Sequence, residues 1–150
     1  MIKIRPLKET DIAQAAAIVG KNYSKKWEKT SASEIKSMFS SSVINPQYYV
    51  AEENKEIVGF AGYIQSWMDY NIYQIFWVNV SPKNQGKGIG RMLVQHVIDV
   101  IKKKKSASLI QLTASIKNAP FYKKQFGFKT IQRFSISEHH LMSLDVRKSK

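Results

Sequence analysis

Val78-Asn79-Val80-Ser81-Pro82-Lys83-Asn84-Gln85-Gly86-Lys87-Gly88-Ile89-Gly90-Arg91 is the stretch on which the fold turns. The apolar run Ile72–Val80 has the composition of a central strand covered on both faces, and it stops at Ser81-Pro82. Beyond the glycines, Ile89, Met92, Leu93, Val97, Val100 and Ile101 recur at helical spacing to about Lys105. A strand therefore runs through a glycine-rich turn into a helix. The first turn of such a helix carries unpaired N–H groups and the positive end of the dipole, which together make an anion cradle. Glycines at 86, 88 and 90 remove Cβ atoms from the approach of a phosphate, and Lys87 and Arg91 add charge. Two well-known phosphate loops do not match. A P-loop needs Ser or Thr after Gly-Lys, where this chain has Gly88. A dinucleotide fingerprint begun at Gly86 ends on Arg91 and lacks the acidic residue about 20 positions on.

Upstream, Ile2-Lys3-Ile4-Arg5 alternates as a half-buried strand closed by Pro6. Thr10 or Asp11 caps a helix with Ile12, Ala15, Ala16 and Val19 on one face and Gly20 as its terminator. Residues 21–30 read as a polar, aromatic-bearing connection. Ser31 and Glu34 have capping-box spacing for a second short helix to about Ser40, with Ile35, Met38 and Phe39 as its apolar face. Gln47–Glu52 and Ile57–Gln65, separated by Glu53-Asn54-Lys55, read as an antiparallel hairpin. Downstream come a strand at Leu109–Ala114, a helix at Asn118–Gln125 stopped by Gly127, and strands at Phe128–Ile131 and about His140–Val146. The expected class is α+β, with a mixed central sheet of about seven strands and four helices in one domain over residues 1–150.

Gln85-x-x-Gly88-x-Gly90 after a strand resembles the acetyl-CoA-binding core of the GCN5-related N-acetyltransferase (GNAT) family. A second block, Asn118-Ala119-Pro120-Phe121-Tyr122-Lys123-Lys124-Gln125-Phe126-Gly127-Phe128, is similar to that family's Asn-x-x-Ala-x-x-Tyr-x-x-x-Gly-Phe element, with Ala119 displaced from its usual spacing. The order of elements agrees over essentially the whole chain. The resemblance implies a GNAT-like three-layer α/β/α fold with acetyl-CoA as co-substrate. Main-chain N–H groups from Gln85 through Gly86, Lys87, Gly88, Ile89 and Gly90 to Arg91 would hold the pyrophosphate. The strand edge at Val78, Asn79 and Val80 would pair with the pantetheine arm, the N–H of Val78 would polarise the acetyl carbonyl, and Asn118 would touch the pantetheine or acetyl region. Tyr122 would be the general acid for the departing thiolate; a core aromatic beside Phe121 and Phe126 is its other reading. In histone-modifying members a glutamate on the central strand removes the amine's proton, and the matching residue here is Gln74, which is no base. Waters ordered by Gln74 are one route for the proton and Asp69 is another, the alternative for Asp69 being a solvated loop acid.

For the acceptor, Tyr23, Trp27, Trp67, Tyr70 and Phe76 are the candidate binding aromatics. Alternation sends Tyr73 and Trp77 to the face opposite Phe76. Few acids lie among them, Glu28 and Asp69 being the obvious ones, so a highly cationic acceptor is disfavoured. The first functional expectation is acetylation of a primary amine on a small-molecule or amino-acid-like acceptor. The alternatives are a macromolecular acceptor (protein N-terminus, lysine or aminoacyl-tRNA) and a non-catalytic acyl-CoA sensor.

Charge bears on that choice. Lys and Arg outnumber Asp and Glu by 24 to 11, for a net charge of +13, and residues 101–150 carry 12 basic and 2 acidic residues. Nucleic acid other than tRNA is not expected, because the run Lys102–Lys105 lacks interleaved aromatics and reads as a solvated helix end. With no cysteine there is no disulfide framework or Cys-based zinc site, and no metal is expected. His96, alone at helical spacing, reads as a packed residue. No N-terminal h-region and no stretch near the roughly 18 apolar residues of a membrane span are present, so a cytoplasmic protein off the membrane is expected. Exposed strands at the C-terminal edge suggest a homodimer.

Overall fold

The computed structural model describes residues 1–147. Its seven strands are β1 (Lys3–Pro6), β2 (Gln47–Glu53), β3 (Glu56–Gln65), β4 (Ile72–Val80), β5 (Leu109–Ser115), β6 (Lys129–Phe134) and β7 (His139–Asp145). They form one sheet in the order β1-β2-β3-β4-β5-β7-β6. Among these neighbouring pairs only β4 and β5 are parallel, and α3 is the crossover between them. The β2–β3 hairpin turns on Asn54 and Lys55, both with positive φ (52° and 65°), the left-handed pair that matches the twist of adjoining strands.

Helices α1 (Ile12–Asn22) and α2 (Lys25–Lys36) cover one face of the sheet; α3 (Ile89–Lys102) and α4 (Ala119–Phe126) cover the other. The expected α+β class and three-layer arrangement are therefore present. Helix α3 buries Ile89, Leu93, Val94, Val97, Ile98 and Ile101, whereas Met92 is exposed on its outer side. Beside it His96 packs edge-on against Tyr49, with ring centroids 4.5 Å apart, as a packed residue should. On the other face Ala15, Ile18 and Val19 of α1 and Ile35 of α2 meet Tyr48, Val50 and Phe60 of the sheet.

Two local readings are corrected. Residues 25–30 are helical, because Ser24 caps α2 by accepting the Trp27 N–H at 3.4 Å, while Ser31 Oγ donates to the Glu28 carbonyl inside the helix at 2.9 Å. Gly20 does not end α1. It lets α2 pack close, since a Cβ there would collide with the Glu28 carboxylate.

The start of α1 is pinned to the sheet by Arg5, which donates to Glu52 at 2.9 Å and to Asp11 at 2.7 Å. The Arg5 guanidinium and the Lys8 N–H hold the Asp11 carboxyl below its ordinary range against the opposing effect of burial. No helix among the described residues is long and apolar enough to cross a membrane, and no cluster of three or more metal-ligating side chains occurs among them.

Candidate active site

The site grows out of a fault in the sheet. Strands β4 and β5 pair only over Ile72–Gln74 and Leu109–Gln111. In the β3–β4 ladder Gly62 faces Phe76 but Phe60 faces Asn79, so Trp77 and Val78 together oppose Ala61. That extra residue is a β-bulge, and Trp77 absorbs it with φ at +50°. The bulge bends β4 away from β5, and the two strands part after Gln74. Between them opens a cleft of about 490 Å³. Its walls are residues 75–79 of β4 and 112–115 of β5, and Asn118, Tyr122, Tyr23 and His139 close it.

The bulge also resets the alternation. Trp77 lies on the same face as Phe76, not the opposite one: both pack against the α1–α2 side of the sheet, and Trp77 meets Trp27 edge-on at 6.4 Å. The Trp77 indole N–H donates to Glu34 on α2 at 2.8 Å, which holds the bulge against the helix layer.

At the far end of β4 the glycine loop is built as a cradle. Gly86 (φ +80°) and Gly88 (φ +81°) are left-handed, and a Cβ on either would meet no atom within 4 Å. Open space on main chain that only glycine adopts easily suits a group held by backbone N–H. Gly88 caps α3, whose first turn carries the unpaired N–H groups of Ile89, Gly90 and Arg91. A pocket of about 310 Å³ joins this loop to Val80 and to Phe121 of α4. The Asn84 side chain in its wall is buried, and its Oδ1 has no partner. The loop is held in place by side chains. Asn22 Nδ2 donates to Asn79 Oδ1 and to the Val80 carbonyl, both at 3.0 Å. Gln85 Nε2 donates to the same carbonyl at 3.0 Å and to Asn22 Oδ1 at 3.2 Å. Asn79 and Gln85 thus brace the loop, and both lone pairs of the Val80 carbonyl are engaged within the chain.

A family profile described as "Acetyltransferase (GNAT) family" matches residues 13–128. The chain belongs to the GNAT family of acetyltransferases. Among curated proteins none matches it. Among solved structures, a protein described as an acetyltransferase of the GNAT family from Desulfovibrio desulfuricans superposes with a TM-score of 0.84 at 19% identity, covering 97% of this chain and 99% of that one. The protein smu.2055 from Streptococcus mutans UA159 gives 0.80 at 24% identity, with the same coverage. The PaiA N-acetyltransferase from Thermoplasma acidophilum, solved with coenzyme A, gives 0.71 at 20% identity, again covering 97% and 99%. This GNAT protein is an N-acetyltransferase with acetyl-CoA as its co-substrate. The open glycine loop, with left-handed Gly86 and Gly88 and the first-turn N–H groups of α3, is the feature of this chain that fits the co-substrate's phosphates.

In this GNAT chain Tyr122 is 9% exposed and packs among Phe121, Phe126 and Phe128. Burial, with a smaller contribution from Tyr23, pushes its phenol up to about 12, so it keeps its proton at neutral pH. The cleft gathers Tyr23, Phe76, Val78, Asn79, Asn118 and Tyr122 from the expected residues. Trp27 stands behind it against Trp77. Gln74 sits at the last paired rung, in an adjoining groove with Gln111 and Leu141.

Asp69, Trp67 and Tyr70 are not brought in. They lie in the β3–β4 turn, where Asp69 accepts the N–H groups of Asn71 and Ile72. From that turn Val78 is six or more residues along an extended strand, about 20 Å. Three residues escaped the sequence reading of the site. Asn22 carries no local signal, Glu34 reads as a capping-box partner of Ser31 but instead accepts the Trp77 indole N–H, and His139 is placed by the β6–β7 turn, whose register no motif announces.

Proposed function

We propose that this enzyme transfers the acetyl group of acetyl-CoA to a primary amine on a small-molecule or amino-acid-like acceptor by direct attack on the thioester. The observation that carries the reading is that one cleft in the sheet reaches both the main chain of the β4 bulge and an aromatic wall on the α1–α2 side. In the proposed complex, backbone N–H groups from Gly86 to Arg91 hold the pyrophosphate. The β4 edge at Val78 holds the pantetheine arm, and Asn118 touches the same region. Acetyl-CoA supplies an acetyl group already activated as a thioester. The N–H of Val78 polarises its carbonyl, a role suited to a donor fixed in a bulge. Tyr122 offers its O–H to the sulfur as the C–S bond breaks. Against a thiol of about 8.5, its phenol acts first as a hydrogen-bond donor to the developing thiolate and then as the route by which the sulfur gains a proton.

Tyr23, Phe76 and Trp77 form an apolar and aromatic approach for the acceptor. No carboxylate lines the cleft among the described residues, which supports a singly charged amine over a polyamine. The basic C-terminal third supports a second acceptor class, aminoacyl-tRNA. Release of free thiol from acetyl-CoA across amino-acid amides, tryptamine, spermidine, a short peptide and charged tRNA tests the proposal. Turnover on monoamines with little dependence on salt is the expected result. Turnover on charged tRNA alone, falling steeply with salt, would replace it with the second.

A further inference from the structure

We propose that His139 is the proton acceptor for the incoming amine, a role that rests on the reading of the cleft as the acetyl-transfer site. The cleft lining contains three side chains that can exchange a proton: Tyr23, Tyr122 and His139. Phenols at neutral pH are donors. Gln74, at the position of the family's glutamate, is no base and lies outside this cleft, and Asp69 lies in the β3–β4 turn at the far end of β4, which runs about 20 Å from Ile72 to Val78. His139 is therefore the one group in the lining, among the described residues, that can take a proton from an ammonium.

Its tautomer follows from one contact. His139 Nδ1 lies 2.6 Å from the carbonyl oxygen of Ser137. A carbonyl can only accept, so Nδ1 carries the hydrogen, and the lone pair of the neutral ring is on Nε2. No described residue hydrogen-bonds Nε2. The turn that makes this contact contains Glu138 in a left-handed conformation (φ +53°), which brings the Ser137 carbonyl back to the ring two residues later. His139 stands opposite Ser115 of β5 and Phe134 of β6 in the sheet, so no charged partner faces it across either ladder.

The balance is as follows. The acceptor's ammonium gives one proton to His139 Nε2, which passes it to solvent. The freed nitrogen lone pair forms the C–N bond, the C–S bond breaks, and the sulfur takes the Tyr122 proton. The new amide nitrogen sheds its second proton, which restores the Tyr122 phenol.

The test compares wild type, His139→Ala and His139→Asn in thiol release from acetyl-CoA, using tryptamine, lysine amide and spermidine, with acetyl-CoA affinity read by calorimetry. The asparagine amide can still donate to Ser137 but has no basic nitrogen, so it separates support of the turn from proton transfer. The expected result is a fall in kcat of about 100-fold or more in both variants, with acetyl-CoA Kd unchanged and partial rescue of His139→Ala by added imidazole. Near-wild-type kcat in His139→Asn, or loss without imidazole rescue in a folded His139→Ala, overturns the role while leaving the transfer reading intact. Wild type that binds acetyl-CoA but releases no thiol with any amine overturns both.

Discussion

The two halves of the cleft are built by different means. The phosphate half, residues 78–91, is continuous in sequence and works through main chain: left-handed glycines, the first turn of α3 and a bulged strand edge. The acceptor half draws Tyr23 from the end of α1, Phe76 and Trp77 from β4, and His139 from the start of β7, and it works through side chains. Backbone geometry is hard to change one residue at a time without breaking a turn, whereas a side-chain wall can be exchanged freely. On the proposed reading the first half holds the co-substrate and the second selects what is acetylated. Perturbations should separate along the same line.

The largest effect is expected from Gly88→Val. A β-branched residue is strained at φ +81° and puts methyl groups into space that is now open, while no packed neighbour is displaced. Losing two charge-assisted backbone hydrogen bonds of about 2 kcal/mol each corresponds to roughly 1,000-fold in affinity. Calorimetry should show that loss of acetyl-CoA binding, while backbone strain of about 1–3 kcal/mol lowers Tm by several degrees and leaves the protein folded. Retained affinity would mean that the phosphates are not held by this main chain. Next comes Tyr122→Phe, which keeps the ring packed among its aromatic neighbours and removes only the hydroxyl. The expected outcome is a fall in kcat of about 100-fold with acetyl-CoA Kd unchanged. Because burial holds the phenol up to about 12, the wild-type rate should show no alkaline decline from Tyr122 until about one pH unit below that value. An unchanged kcat in the variant would return Tyr122 to the role of a core aromatic.

The contrast between the halves also explains what was readable in the sequence. The turn from Gln85 to Arg91 was legible because left-handed main chain at 86 and 88 favours glycine, a residue type with few other reasons to recur there. The seven strands and four helices could be found because hydrophobic period survives tertiary context. Trp77 was placed on the wrong face because alternation counts residues, and the bulge opposite Ala61 adds one that no pattern in β4 marks. Asp69 entered as a candidate for its chemistry alone, with a solvated loop acid as its other reading, and the splay of β4 from β5 opens the cleft at the other end of the strand. His139 carried no signal because the role proposed for it rests on the Ser137 carbonyl, a main-chain atom with no signature in the sequence.

The helix layer that borders the acceptor half is itself fastened by side chains, at the ion pair between Arg5 and Asp11, whose side chains are 16% and 8% exposed. Asp11→Asn should therefore lower stability by about 1.5 kcal/mol near neutral pH, the value of a hydrogen bond to a charged group. The sign with pH is set by the carboxyl being held below its ordinary 3.8 in the folded protein. Its contribution is complete above 3.8, where the unfolded chain is also ionised, and is lost as pH falls through the lower folded value. Denaturant midpoints of wild type and variant should accordingly differ by a constant amount above about pH 5 and converge on acidification. Acetyl-CoA affinity of the folded variant should not move, because the cradle is braced by Asn22, Asn79 and Gln85 through neutral hydrogen bonds that do not involve Asp11. A variant that loses acetyl-CoA affinity along with stability would show that the phosphate half depends on how α1 is anchored, and the separation between backbone-built and side-chain-built halves would fail at Asn22.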